Sequence, residues 1–266
     1  MMTELSLQGF LLGYFTILGL LALFIIPYYL IVRRFFPEVS IYRQIIFAFI
    51  FSQGVKLILF GASFVTQIPL RYLFIGESIT VTILTMILIY YDRDVLTLIK
   101  GVSKEKIIFV LLLILTLWVF LYLYSSRFDW DALEVYLPYA KLYVTENKLL
   151  GYSEEISNYL SLPFLQPAVI AWVFSQVGIQ DDVSLFLPLI NTLMLALVSY
   201  EITKQFLKQE FVWLATALSV LNVLMVRYLT LVPRYVDLPF GVLVLVFFLA
   251  LFGNASTLGN KHYLIS

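Results

Sequence analysis

The sequence predicts an all-α, polytopic membrane helix bundle of about seven or eight spans, with one long extracytoplasmic loop carrying an interfacial helix. Three observations lead there. Hydrophobic residues make up 62% of the 266 and charged residues only 13%, against about 45–50% and about 25% in soluble domains. The apolar residues fall into runs that match the roughly 20 helical residues needed to cross a hydrocarbon core. The short loops alternate between basic and nearly uncharged, as the positive-inside bias requires. A water-soluble particle of 30.7 kDa with this composition would have too few polar residues to coat its surface. Soluble enzymes, nucleic-acid binders and disordered scaffolds are excluded on that ground.

The first apolar run, residues 10–32, is too long for the core of a signal peptide. It lacks a basic leader and ends in Arg33-Arg34 instead of a small-residue cleavage site, so it is expected to be retained as a span. Further spans are expected at 45–65, 72–91, 107–124, 183–200, 211–226 and 238–252. An eighth apolar segment, 163–179, is short and carries Gln166, Pro167 and Gln176. The first three spans form an N-terminal membrane segment, 1–104. Residues 105–266 form a second module around the loop at 127–162.

Sidedness follows from Lys and Arg in the short loops. The first loop holds Arg33, Arg34 and Arg43, and the third holds Arg93, Lys100, Lys104 and Lys106, whereas the second has only Arg71. This pattern puts the first and third loops in the cytoplasm, and the N-terminus and loop 127–162 outside, as in a multi-pass protein of the cell membrane. If segment 163–179 crosses fully, Lys204 and Lys208 face outward and Asp237 inward. If it is re-entrant or interfacial, the two lysines are cytoplasmic and Asp237 is external, which the positive-inside bias favours. The chain has no cysteine, so single cysteines can report the orientation. One at Ser153 should react with an impermeant thiol reagent in intact cells and one at Ser103 should not; labelling at Ser103 overturns the assignment.

Little remains to carry chemistry. Without cysteine there is no disulfide, thiolate metal site or thiol nucleophile, and the single histidine, His262, makes a histidine-based metal site or a Ser-His-Asp triad implausible. Carboxylates, Lys, Arg and tyrosine hydroxyls are left. They concentrate in loop 127–162, where Asp129, Asp131, Glu134, Glu146, Glu154 and Glu155 outnumber Arg127, Lys141 and Lys148. From Asp131 onward, Leu133, Leu137 and Ala140 with Tyr136, Tyr139 and Tyr143 recur at helical spacing, as in a helix lying on the membrane surface. Asp131 suits its N-cap, with Glu134 completing a capping-box pattern. The same carboxylate also suits a general base for an acceptor hydroxyl, and Asp129, two residues earlier, would share its side of an extended stretch. Neither role excludes the other.

Three tracts in order carry a resemblance: FDWDALEVYLPYAKLYVTENKL after a span, then SLPFLQPAVIAWVFSQVG, then VPRYVDLPFGVLVLVFFLALF. Together, over roughly residues 105–255, they resemble the N-terminal module of the GT-C superfamily, integral-membrane glycosyltransferases that use polyprenyl-phosphate sugars. The resemblance implies transfer of a sugar from such a donor to an extracytoplasmic hydroxyl acceptor. Asp131 matches the family's catalytic aspartate, with Asp129 second, and Asp237 matches a later acidic position. Arg234, whose guanidinium fork fits a phosphate, would hold the donor's phosphate. The resemblance implies no cofactor, since such enzymes often need no metal, although the superfamily's oligosaccharyltransferases hold a divalent cation between acidic loop residues. Its remaining spans would lie beyond this sequence or in a second membrane subunit that completes the fold. The implied partners are the lipid-linked donor and the surrounding membrane lipids, with no nucleic acid.

Two charges, Lys56 and Glu77, fall inside spans, where an unpaired charge costs several kcal/mol. Counted from the span ends they sit at similar depths, roughly 10 Å from the outer boundary. A salt bridge between adjacent antiparallel helices is the economical expectation; a polar lining for a lipid-phosphate groove is the sharper one. A non-catalytic membrane subunit or transporter-like protein, with these two residues as its functional pair, is the alternative to the glycosyltransferase. Arg227 and Arg234 are otherwise expected to snorkel to the interface. The Asn254-Ala255-Ser256 sequon falls on the cytoplasmic side of this topology, where it would not be used.

Overall fold

A computed structural model describes residues 7–91, 104–124, 137–145, 165–228 and 242–247. Every regular element among them is helical: α1 (Leu7–Phe35), α2 (Ile41–Thr66), α3 (Leu70–Tyr91), α4 (Lys104–Tyr124), α5 (Leu137–Thr145), α6 (Leu165–Val177), a 3-10 turn (Asp181–Leu185), α7 (Phe186–Phe206) and α8 (Gln209–Tyr228). Residues 242–247 are helical as well. Four segments are long and apolar enough to cross a membrane: Phe10–Phe35, Ile41–Ser63, Leu70–Tyr91 and Val183–Phe206. Shorter apolar helices cover Val110–Val119, Pro167–Val177 and Gln209–Leu221. The protein is therefore a helical membrane bundle, and its described helices overlap the apolar runs named above, the run at 238–252 being described only over 242–247.

Turn chemistry sets the ends of the first hairpins. The chain leaves α1 at Phe36-Pro37, where proline disfavours further helix. Ser40 then caps α2, its hydroxyl accepting from the Arg43 N–H at 3.4 Å. Gln44 Nε2 donates to the carbonyls of Phe36 and Val39, both at 2.9 Å, and so ties the turn to the helix it starts. At the other end of α2, Gln67 takes a left-handed conformation, φ 58°, its N–H closing on the Ser63 carbonyl. The Ser63 hydroxyl reaches over to the Ile68 carbonyl at 2.6 Å. These bonds satisfy groups that a helix end leaves unpaired.

One apolar core runs through the bundle. Phe24 of α1 meets Phe49 of α2, Trp172 of α6 and Phe186 of α7, with ring centroids 6.2, 5.2 and 5.4 Å away. α7 is buried along most of its length, as expected of a helix that is apolar all round. α3 instead exposes Ile79, Ile83, Met86 and Ile87, a face suited to lipid. α4 lies antiparallel to α1: the Tyr14 hydroxyl donates to the Leu111 carbonyl at 3.0 Å, and Trp118 packs beside Phe10 and Gly13. A Cβ at Gly13 would sit 2.9 Å from the fully buried Trp118 ring, so glycine permits the close approach.

Within segment 163–179 the described helix is short for a span. α6 has 13 residues, about 20 Å of helix, against a hydrocarbon core of about 30 Å. Its C-terminal end meets the N-terminal part of α3, where Gln176 Nε2 donates to the Phe74 carbonyl at 3.4 Å. α7 then runs toward the α1–α2 turn, because Glu201 near its end pairs with Arg43 at 2.9 Å. Lys204 and Lys208 consequently lie on the same face as Arg33, Arg34 and Arg43, the arrangement expected of a segment that inserts without crossing.

Candidate functional site

The densest polar chemistry among the described residues surrounds Lys56 and Glu77. Both are buried, and Lys56 Nζ stands 2.7 Å from Glu77 Oε1, so the expected ion pair is present. A carboxylate offers about four lone-pair positions, and all are used. Oε1 accepts from Lys56 and from the Tyr28 hydroxyl; Oε2 accepts from Trp172 Nε1 at 3.0 Å and Ser78 Oγ at 3.2 Å. Lys56 donates a second bond to Ser52 Oγ, one turn back on α2, at 3.1 Å. Its ammonium also lies 4.7, 4.9 and 4.7 Å from the ring centroids of Phe24, Tyr28 and Trp172, within cation–π range.

This arrangement is closed. Each charge meets its opposite, the carboxylate has no spare lone pair, and aromatic faces enclose the ammonium. Its chemistry is cohesion: α1 through Tyr28, α2 through Lys56, α3 through Glu77 and α6 through Trp172 meet at one carboxylate. The alternative expectation, a polar lining for a phosphate groove, needs an accessible cation, and Lys56 is 0% exposed.

The second group lies after α4. α5 buries Leu137, Ala140, Tyr143 and Val144, one face at helical spacing, against α6 and α3. The Tyr143 ring meets Phe60 of α2 edge-on at 5.1 Å. Burial first, then the neighbouring Tyr139, pushes the Tyr143 phenol up to about 12. The helix expected to lie on the membrane surface is thus docked on protein along its apolar face. The residues named for catalysis and phosphate binding, Asp129, Asp131, Asp237 and Arg234, lie outside the described residues, as does the expected helix start at Asp131.

A third group closes the opposite end. Arg43 Nε bonds Glu201 Oε2 at 2.9 Å, and Ser40 Oγ approaches Glu201 Oε1 at 3.3 Å. Beside them Tyr200 packs on Tyr42 at 5.1 Å and on Trp213 at 4.7 Å, joining α2, α7 and α8. Sequence reasoning counted Arg43 as a loop charge and did not pair it. Glu201 directly follows the apolar run 183–200, and a carboxylate at a span end was the available signal for a cation partner.

No group of three or more His, Cys, Asp or Glu side chains among the described residues could hold a metal ion. The chain matches no protein-family model, and no curated protein or solved structure is significantly similar to it.

Proposed function

We propose that the chain is a GT-C-like membrane glycosyltransferase, or part of one, which moves a sugar from a polyprenyl-phosphate donor to an extracytoplasmic hydroxyl acceptor at the cell membrane. The observation that supports this reading is the docking of α5. The helix following the Asp131 tract is held on the bundle by Leu137, Ala140, Tyr143 and Val144, as a rigidly mounted catalytic loop requires. In the reaction the acceptor oxygen attacks the anomeric carbon, the bond from that carbon to the phosphate oxygen breaks, and the configuration inverts. Asp131 takes the acceptor's proton, Asp129 and Asp237 assist electrostatically, and Arg234 stabilises the departing polyprenyl phosphate.

The test uses native membranes prepared with and without the chain and given radiolabelled polyprenyl-phosphate hexose. Label should enter an acid-stable glycan only when the chain is present; equal incorporation in both preparations removes the proposal. The second reading, a non-catalytic membrane subunit, draws on the closed Lys56–Glu77 network, which gives the first three helices an architectural centre. Such a subunit would leave label incorporation unchanged while its loss breaks up a larger membrane complex. A transporter-like role fits less well, because that network keeps no valence free for a passing solute.

A further inference from the structure

We propose that the seam between α2 and α7 contains a binding site for a single buried water, held by Gln53 and Asn191. The two helices pack directly against each other, and two contacts set their register. Arg43 pairs with Glu201, and Tyr42 packs on Tyr200. In antiparallel helices each step forward on one matches a step back on the other. Ten residues in from the ion pair, Gln53 on α2 therefore stands level with Asn191 on α7.

The facing positions agree. On α2, Arg43, Ile46, Ile50 and Gln53 follow the three-four-three spacing of a helix–helix seam; on α7, Asn191, Met194, Val198 and Glu201 do the same. Ile46, Gln53, Asn191, Met194, Val198 and Glu201 are all buried. Ten helical residues are about 15 Å, halfway through a hydrocarbon core of about 30 Å.

At that depth three amide atoms have no hydrogen-bonding partner: Gln53 Oε1, Asn191 Oδ1 and Asn191 Nδ2. An unbonded amide is strongly disfavoured in apolar surroundings, and lipid offers it nothing. The three atoms are complementary to water. Two are acceptors on opposite helices, and one water has two O–H groups to give them. The two side chains make no direct bond as they stand; a small rotation would let Asn191 Nδ2 donate to the second lone pair of Gln53 Oε1 beside the water. The site lies beside Ser52 and one turn before Lys56, so it extends the polar layer at mid-depth toward α7. It fixes the register of α2 against α7, since a slip of either helix would separate the two amides.

The experiment is a double-mutant cycle on the full chain in detergent, read as the temperature at which the monodisperse species is lost. Gln53→Leu and Asn191→Leu should each lower that temperature by several degrees, because each strands the other amide. The double variant should regain most of the loss. If either single variant raises the temperature, or the two losses simply add, the amides share nothing and the proposal fails. A high-resolution density map of the unmodified protein supplies a reading independent of folding yield. A peak bridging Gln53 Oε1 and Asn191 Oδ1 supports the site, whereas direct amide contact without a peak overturns it.

Discussion

Lys56→Met should remove most of the folded protein from the membrane, and adding Glu77→Gln should restore much of it. Methionine keeps the length and the apolar stem of lysine, so cavity formation contributes little. What changes is the charge. Glu77 would keep the Tyr28, Trp172 and Ser78 donors but lose its cation in a setting that offers no other. Removing one partner of a buried pair costs about 3–5 kcal/mol, a large fraction of the roughly 5–15 kcal/mol that holds a typical protein together. Glutamine at 77 removes the stranded charge and can still accept from Tyr28 or Trp172. The measurement is the yield of monodisperse protein extracted from membranes for wild type, each single variant and the double. A double variant no better than Lys56→Met alone would show that pairing is not what Lys56 contributes.

The depth of this pair also explains what the sequence disclosed. Charges inside apolar runs need partners, and Lys56 and Glu77 lie on neighbouring antiparallel spans at matching depths, so their pairing was legible. Tyr28 and Trp172 were not, because uncharged aromatic residues are common in spans and nothing marks which of them turns a polar edge toward a carboxylate. Trp172 is the more instructive case. It lies in segment 163–179, whose shortness, proline and glutamines left open whether it crosses. That α6 inserts against α2 and α3 depends on tertiary packing, in which Phe24, Trp172 and Phe186 form one cluster. Helix positions were legible for the opposite reason: apolar runs act locally. The apolar face of α5 was legible from spacing, but spacing does not say whether lipid or protein covers it; Phe60 and α6 cover it.

Asp131→Asn should leave the protein folded and inserted while abolishing most sugar transfer. Asparagine has nearly the same shape as aspartate and caps a helix about as well, so the structural role open to Asp131 survives the change. A general base does not survive it, because an amide cannot take the acceptor's proton, and general acid–base groups contribute typically 10²–10⁴-fold. The expected result is therefore a loss of about 10²-fold or more in label transferred from polyprenyl-phosphate hexose, at unchanged protein level and unchanged cysteine labelling at position 153. Asp129→Asn, the second candidate, should cost less, because it assists by charge alone. Lys141→Gln, on the docked helix α5, serves as a charge control and should change transfer little. A correctly inserted Asp131→Asn protein that transfers sugar at the wild-type rate would leave Asp131 as a helix cap and remove the residue on which the glycosyltransferase reading depends. Full loss in both Asp131→Asn and Lys141→Gln would instead mean that the measurement reports the integrity of the loop, not proton transfer.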